Sequence, residues 1–301
     1  MALDPLIALT GVLVGFVVGL TGMGGGALMT PLLVLLFKVE PLAAVSSDLV
    51  AAFVMKPVGA SVHLRRGTVH LELVRWLVLG SVPSAFAGVL ILNQLGDGTV
   101  VQDRVKLVLG AALLLAATSI LLKQWVARRH ASETGLDLVV RPLPTVLVGV
   151  LGGLVVGMSS VGSGSLMIVM LLVLYPRLSA SELVGTDLVQ AIPLVGSAAL
   201  GHLIYGDFRL GLTASLLVGA LPGVYLGARV SSRAPDRLIR PALVVVLATS
   251  GLKLLGASNV VLAAFLLVAG MLLAVAALRR RPVHSSTVPD AGGGSPPERQ
   301  P

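Results

Sequence analysis

The sequence predicts an all-α, polytopic membrane protein, and three observations carry that prediction: an apolar composition, a succession of apolar segments, and a duplication of one half of the chain in the other. Of 301 residues, 55% are hydrophobic and 12% charged, and the mean hydropathy is +0.97. Soluble domains carry about 25% charged residues, so most of the apolar mass here must face lipid or protein. A soluble enzyme, a disordered chain and a nucleic-acid-binding domain are excluded on that ground. With no cysteine, a disulfide framework, thiol catalysis and thiolate metal sites are excluded as well.

Breaking the sequence at charges, prolines and glycine clusters gives eleven apolar segments, at about 3–22, 26–37, 41–63, 69–93, 104–123, 143–160, 163–175, 179–203, 208–229, 237–256 and 258–278. A helix needs about 20 apolar residues to cross a hydrocarbon core about 30 Å thick. Segments 26–37 and 163–175 are too short for that, and each follows a glycine-rich stretch. They are expected to be half-helices or re-entrant arms, which leaves nine to eleven full crossings. No cleavable leader is expected, because Asp4 stands where a basic n-region would lie. Residues 282–301, rich in Pro, Gly and Ser, are expected to form a disordered cytoplasmic tail.

Lys and Arg orient the chain. If all segments alternate with the C-terminus inside, the inner loops hold fourteen basic residues: Arg65, Arg66, Lys123, Arg128, Arg129, Arg141, Arg177, Arg229, Arg233, Arg237, Arg240 and Arg279 to Arg281. The outer loops hold Lys38, Arg104, Lys106 and Arg209. The N-terminus is therefore expected outside and the C-terminus in the cytoplasm. The net charge of +8 is then a topology signal and calls for no nucleic acid.

The duplication gives the organisation. Gly19, Gly24, Gly26, Leu28 and Met29 recur 138 residues later as Gly157, Gly162, Gly164, Leu166 and Met167. At an offset of 139, Ser47-Asp48-Leu49 becomes Thr186-Asp187-Leu188, His63 becomes His202, and Gly80, Pro83 and Gly88 become Gly219, Pro222 and Gly227. This divides the chain into a first transmembrane repeat (1–125), a cytoplasmic linker (126–142), a second transmembrane repeat (143–281) and the tail. Five segments per copy is an odd number, so the second copy is expected to enter the membrane from the opposite face. Inverted repeats build secondary transporters, with the substrate near the midplane between the copies. An enzyme gains nothing comparable, and none is expected.

Two glycine-rich stretches are the first candidate site: Gly22-Met23-Gly24-Gly25-Gly26 and Val161-Gly162-Ser163-Gly164-Ser165. Such runs interrupt a helix and free backbone N–H groups. The short helix that follows adds positive partial charge at its start, so an oxyanion can be held without a buried lysine. Ser159, Ser160, Ser163 and Ser165 supply further hydroxyls in the second copy. The plainer reading is close helix packing, for which small residues are the usual device. Gly22-x-Gly24-x-x-Ala27 matches a dinucleotide fingerprint only by letter, since no short strand precedes it. A serine dyad of Ser163 or Ser165 with His202 is disfavoured, because the histidine recurs in a copy whose loop has no serine. No cofactor and no metal site is expected.

Charged and polar residues inside segments are the second candidate. Asp48 lies within Ser46-Ser47-Asp48 and Asp187 within Gly185-Thr186-Asp187. Lys56 follows Asp48 by eight residues, with Val195 at its place in the second copy, and Gln190 follows Asp187 by three. Carboxylates inside membrane segments face protein interiors and mark ion or proton paths. Asp48 and Asp187 are thus candidates for proton or cation coupling, and Lys56 for attracting an anion. The plainer readings are helix capping for the aspartates and snorkelling for Lys56. His63 and His202 close their segments and are candidate gates, although a helix-end histidine at the interface is the commoner setting.

The sequence resembles the sulfite exporter TauE/SafE family of membrane permeases. The likeness lies in Gly22-Met23-Gly24-Gly25-Gly26 with Thr30-Pro31, Ser46-Ser47-Asp48-Leu49, His63-Leu64-Arg65-Arg66-Gly67-Thr68-Val69, Gly80-Ser81-Val82-Pro83, Gly185-Thr186-Asp187-Leu188 and Gly219-Ala220-Leu221-Pro222-Gly223. It covers about residues 5–278. The resemblance implies movement of a small sulfur oxyanion or organosulfonate, such as sulfite, sulfoacetate or thiosulfate, across a bacterial inner membrane. The substrate would be held by Gly24, Gly25, Gly26, Ser46, Ser47, Lys56, Gly162, Ser163, Gly164, Thr186 and Gln190. Asp48, Asp187, His63 and His202 would serve coupling or gating. A membrane potential drives an anion outward by about 2.3 kcal/mol per charge per 100 mV, so export can run uncoupled whereas import needs a coupling ion. The alternative is a membrane scaffold that docks a partner enzyme through residues 282–301.

Overall fold

The computed structural model describes residues 4–21, 25–94, 98–129, 139–230 and 236–278. Gly24, residues 130–138 of the expected linker and the tail lie outside the described residues. Eleven helices are described: α1 (Pro5–Thr21), α2 (Gly26–Leu35), α3 (Pro41–Arg65), α4 (Leu71–Gln94), α5 (Thr99–Arg129), α6 (Pro142–Ser159), α7 (Leu166–Leu174), α8 (Ala180–Tyr205), α9 (Leu210–Val230), α10 (Asp236–Leu254) and α11 (Asn259–Leu278). No strand is present among the described residues. Each apolar segment of the sequence is one helix. α3, α4, α5, α6, α8 and α9 are long and apolar enough to cross a membrane. The protein is a multi-pass membrane protein.

Local chemistry sets the boundaries. Pro41 and Pro142 occupy first-turn positions of α3 and α6, where a missing N–H costs no hydrogen bond. α8 opens with a capping box: Ser179 Oγ accepts from the Glu182 N–H at 3.2 Å, and the Ser179 N–H donates to Glu182 Oε2 at 2.8 Å. α5 is longer than its apolar stretch and takes in residues 126–129, which the sequence reading gave to the linker. α2 and α7 have ten and nine residues, so at about 1.5 Å per residue neither reaches across a bilayer. They are the half-helices the sequence calls for.

The two copies interlock. α1 packs on α9 and α4 packs on α6, so the first helix of each copy lies along the fourth helix of the other. Both pairs run parallel: Gly219 meets Ala8 and Val12 while Gly227 meets Phe16 and Leu20, and Gly149 meets Leu77 while Gly157 meets Ala85. Backbones approach so closely that a Cβ at Gly219, Gly223, Gly227, Gly149, Gly153 or Gly157 would collide with the facing helix. α3 and α8, equivalent helices of the two copies, run antiparallel at the centre. Ser46 meets His202 at one end of this pair, and Gly185 meets His63 at the other.

Apolar side chains form two cores. One joins α1, α2, α9 and α10, the other α4, α6, α7 and α8, and α3 and α5 contribute to both. At one end of the bundle Arg209 bonds Glu40 at 2.6 Å and Asp207 at 2.7 Å. These carboxylates, Asp207 foremost, hold the Arg209 guanidinium above its ordinary range. At the opposite end His70 Nε2 lies 3.0 Å from Glu182 Oε1, and the Arg141 N–H donates to the Tyr175 hydroxyl at 2.9 Å.

Candidate functional site

The two interrupted helices meet inside the protein. α6 ends on Ser160, which has φ 59°, and the chain turns through Gly162 (φ 117°) and Gly164 (φ 100°) before α7 begins. Such angles suit glycine because it has no Cβ to clash. Residues 159–165 are all buried, which is tolerated at membrane depth only where irregular backbone is enclosed by protein or lines a cavity. On the other side Gly25 caps α2, and Gly26 lies against the Ser160 carbonyl so closely that a Cβ would run into it. The two breaks are back to back.

Asp48 ties this junction together. Its Oδ2 accepts from Thr30 Oγ1 of α2 at 2.7 Å and from Ser160 Oγ at 2.8 Å, so one carboxylate oxygen of α3 holds both breaks. Its Oδ1 is buried without a hydrogen-bond partner. Asp48 and Asp187 lie within α3 and α8, whose N-caps are Glu40 and Ser179. Neither aspartate is a helix cap. Lys56 does not snorkel: it is 6% exposed, its Nζ has no hydrogen-bond partner, and it feels the charge of Asp187 and, more weakly, of Asp48. Asp187 Oδ1 accepts from Gln190 Nε2 at 2.9 Å. Ser81 Oγ extends this chain to Gln190 Oε1 at 3.4 Å.

Two further hydroxyls are unengaged here. Ser47 Oγ and Ser165 Oγ are buried without partners. Ser165 occupies the N-cap of α7 yet makes no side-chain cap bond, although an N-cap serine normally accepts from the first helical turn. Gly25, Gly26 and Asp48 from the sequence reading thus meet at the junction, with Gly162, Ser163 and Gly164 in the adjoining loop; Ser47 is buried beside Thr213 of α9, and Lys56, Asp187 and Gln190 are buried further along α3 and α8. Thr30 is the residue that reading passed over as a partner. The available signal was a lone hydroxyl in an otherwise apolar half-helix.

The remaining candidates sit elsewhere. Thr186 Oγ1 accepts from the His70 N–H at 3.1 Å and so fastens a loop at one end. Ser46 Oγ lies 2.9 Å from His202 Nδ1, and His202 Nε2 lies 2.8 Å from the Gly157 carbonyl. A carbonyl only accepts, so Nε2 carries the proton. His202 is fully enclosed rather than interfacial, and it joins α3, α6 and α8 beside a cavity of about 190 Å³ lined by Val89, Asn93, Gln102 and Tyr205. His63, its equivalent at the other end, is half-buried and pairs with Thr68 Oγ1 at 2.9 Å. No cluster of His, Cys, Asp and Glu fit to hold a metal exists among the described residues.

A multi-pass bundle with two broken helices meeting over buried charge defines a class, the membrane transporters. Within it, the chain belongs to the sulfite exporter TauE/SafE family, whose model matches residues 7–254. The probable membrane transporter protein YjnA of Bacillus subtilis is 37% identical over 252 residues, covering 83% of this chain and 98% of that one. YdhB of the same organism, also a probable membrane transporter protein, is 26% identical over 83% of this chain and 99% of its own. The probable membrane transporter protein MJ0441 of Methanocaldococcus jannaschii is 24% identical over 85% of this chain and 96% of its own. No solved structure matches.

Proposed function

We propose that this membrane transporter carries a small anion, a sulfur oxyanion or organosulfonate such as sulfite, sulfoacetate or thiosulfate, by alternating access between its two halves. The observation that carries this reading is Lys56, a buried ammonium with no hydrogen-bond partner, about two turns along α3 from the Asp48 that joins the breaks of α2 and α7. A buried cation without a bonded partner is costly, and an arriving oxyanion supplies what it lacks. Ser165 Oγ adds a donor at the junction, and the α2 and α7 N-termini add partial positive charge there. The sulfur chemistry rests on family membership.

Alternating access draws support from the antiparallel course of α3 and α8. The two copies then stand inverted in the bilayer, with residues 64–68 facing the cytoplasm and 204–207 outside. His202 holds the outer end shut through Ser46 and Gly157, and its release belongs to the opening of that end.

The test is flux into proteoliposomes with labelled sulfite, sulfoacetate, thiosulfate and sulfate. The wild type moves at least one of them, and Lys56→Met inserts and folds but loses flux at least tenfold. Wild-type flux in Lys56→Met removes this lysine from the site, and no flux of any of the four in the wild type overturns the anion reading.

A further inference from the structure

Three ionisable groups, Asp48 and Lys56 on α3 and Asp187 on α8, are buried in this pair of packed helices. Lys56 lies eight residues beyond Asp48 on α3, about 12 Å along the helix at 1.5 Å per residue. Because α3 and α8 are antiparallel, Asp187 lies on the far side of Lys56 from Asp48. The column therefore reads acid, base, acid. With all three ionised its net charge is −1, and an anion on Lys56 makes the total −2 for a monoanion and −3 for a dianion. A low-dielectric interior resists that accumulation, so a site with two acids and one base is mismatched to anionic cargo unless an acid gives up its charge.

The two acids are not equivalent. Asp187 holds the Gln190 amide and is the stronger electrostatic partner of Lys56. Asp48 uses one oxygen for both hydroxyl donors and leaves the other, fully buried, with no hydrogen-bond partner. A proton can enter on Oδ1 while Oδ2, then a carbonyl oxygen, keeps accepting from Thr30 and Ser160. A metal cation fits less well: Asp48 offers it a single unengaged oxygen, Oδ1, and Lys56 repels a second cation. The other charged or titratable groups near Asp48 are Lys56 on its own helix and Asp187 and His202 on α8. α2, α9 and the α6–α7 loop present hydroxyls (Thr30, Thr213, Ser160, Ser165), and Asp103 and Lys106 of α5 pair with each other on the surface.

Resting on the anion site proposed above, we infer that the anion travels with a proton carried on Oδ1 of Asp48, which makes the protein a proton–anion symporter. The proton is taken from water on one side, neutralises the carboxylate while the anion pairs with Lys56, and leaves with the anion on the other. No bond other than O–H forms or breaks. A monoanion then crosses with its charge balanced, so the inward pH gradient of a respiring cell drives its uptake; a dianion still carries one net negative charge, and the proton halves the electrical work against its entry.

The experiment uses the full chain in proteoliposomes with a trapped pH dye, and thiosulfate as probe because it stays fully ionised near neutral pH. The wild type acidifies the lumen as labelled thiosulfate enters, and an inside-alkaline gradient raises its accumulation several-fold. Binding to detergent-solubilised wild type weakens up to tenfold per pH unit on the alkaline side, the limit for one linked proton. In Asp48→Asn, proton movement is lost and thiosulfate Kd no longer depends on pH, whereas Asp187→Asn keeps a pH-dependent Kd. Thiosulfate entry without proton movement overturns symport while leaving the anion reading intact, as does entry that requires sodium instead. A pH-dependent Kd that survives in Asp48→Asn moves the proton elsewhere and overturns the assignment. If Asp48→Asn does not fold, wild-type proton flux still decides symport, and Asp48→Glu, which keeps a carboxyl at a changed reach, shifts the pH dependence of thiosulfate Kd; an unshifted profile overturns the assignment. If thiosulfate, sulfite, sulfoacetate and sulfate all fail to move, both readings fall.

Discussion

Asp48 is a carboxylate with 0% exposure whose environment is two hydroxyls and one distant lysine. A hydrogen bond to a charged group contributes about 1.5–3 kcal/mol, against about 1 for a neutral one. Thr30→Val removes one donor at nearly constant volume, so it should destabilise the protein by about 1.5–3 kcal/mol while Asp48 is ionised and by about 1 when it is protonated. Thermal melts in detergent across a pH series measure this, and the gap to wild type should widen as pH rises. A gap independent of pH says that Asp48 does not change charge over that range. Neighbouring glycines separate in the same assay. Gly26→Ala drives a Cβ into the Ser160 carbonyl and should cost about 1–3 kcal/mol, as overpacking does. Gly25→Ala meets Met55 Cε at 3.5 Å and Val18 Cγ2 at 3.9 Å, ordinary contacts, and should be near neutral. Equal melting shifts for the two would contradict the back-to-back breaks.

Between helices, the force that assembles this bundle is close packing of small residues rather than a hydrophobic contrast, since lipid is as apolar as leucine. Gly149, Gly153 and Gly157 on α6, and Gly219, Gly223 and Gly227 on α9, recur every fourth residue and so line one stripe of a helix. Each stripe takes the backbone of a partner from the other copy. Gly223→Leu should separate α9 from α1 and yield aggregated or heterogeneous protein on size exclusion. Gly270→Ala on α11 meets nothing within 4 Å and should keep the wild-type profile, gaining up to about 1 kcal/mol in helix propensity. A monodisperse, wild-type-like Gly223→Leu would mean that this seam does not hold the copies together.

For the whole molecule, the packing of α1 on α9 and of α4 on α6 makes α1–α5 and α6–α10 one packing unit, although the two sets are separate in sequence. α3 and α8 also fix which loops share an end. Glu40 and Asp207 lie at one end, both bonded to Arg209, and Arg66 and Arg177 belong to the opposite one. Because the chain has no cysteine, single cysteines report topology without background. Under the proposed orientation, Glu40→Cys and Asp207→Cys react with an impermeant maleimide applied outside intact cells, while Arg66→Cys and Arg177→Cys react only after lysis. Labelling of all four from one side would reject opposed ends and with them the inverted arrangement.

The eleven helices, the two half-helices and the duplication were all legible in the sequence, because apolar length, glycine interruption and repeated spacing are local properties of a chain. Gln190 beside Asp187 was legible for the same reason, being one helical turn away. What the fold alone decided is long-range. Nothing in the spacing says that Thr30 and Ser160 share one oxygen of Asp48, that Ser46 belongs to His202, or that Thr186 faces a loop, since those partners are 18 to 156 residues apart. The exchange of helices between copies was likewise hidden, for a glycine stripe announces a close neighbour without naming it. Local sequence sets which segments are helical and where they break; which buried groups share a site follows from how the helices cross.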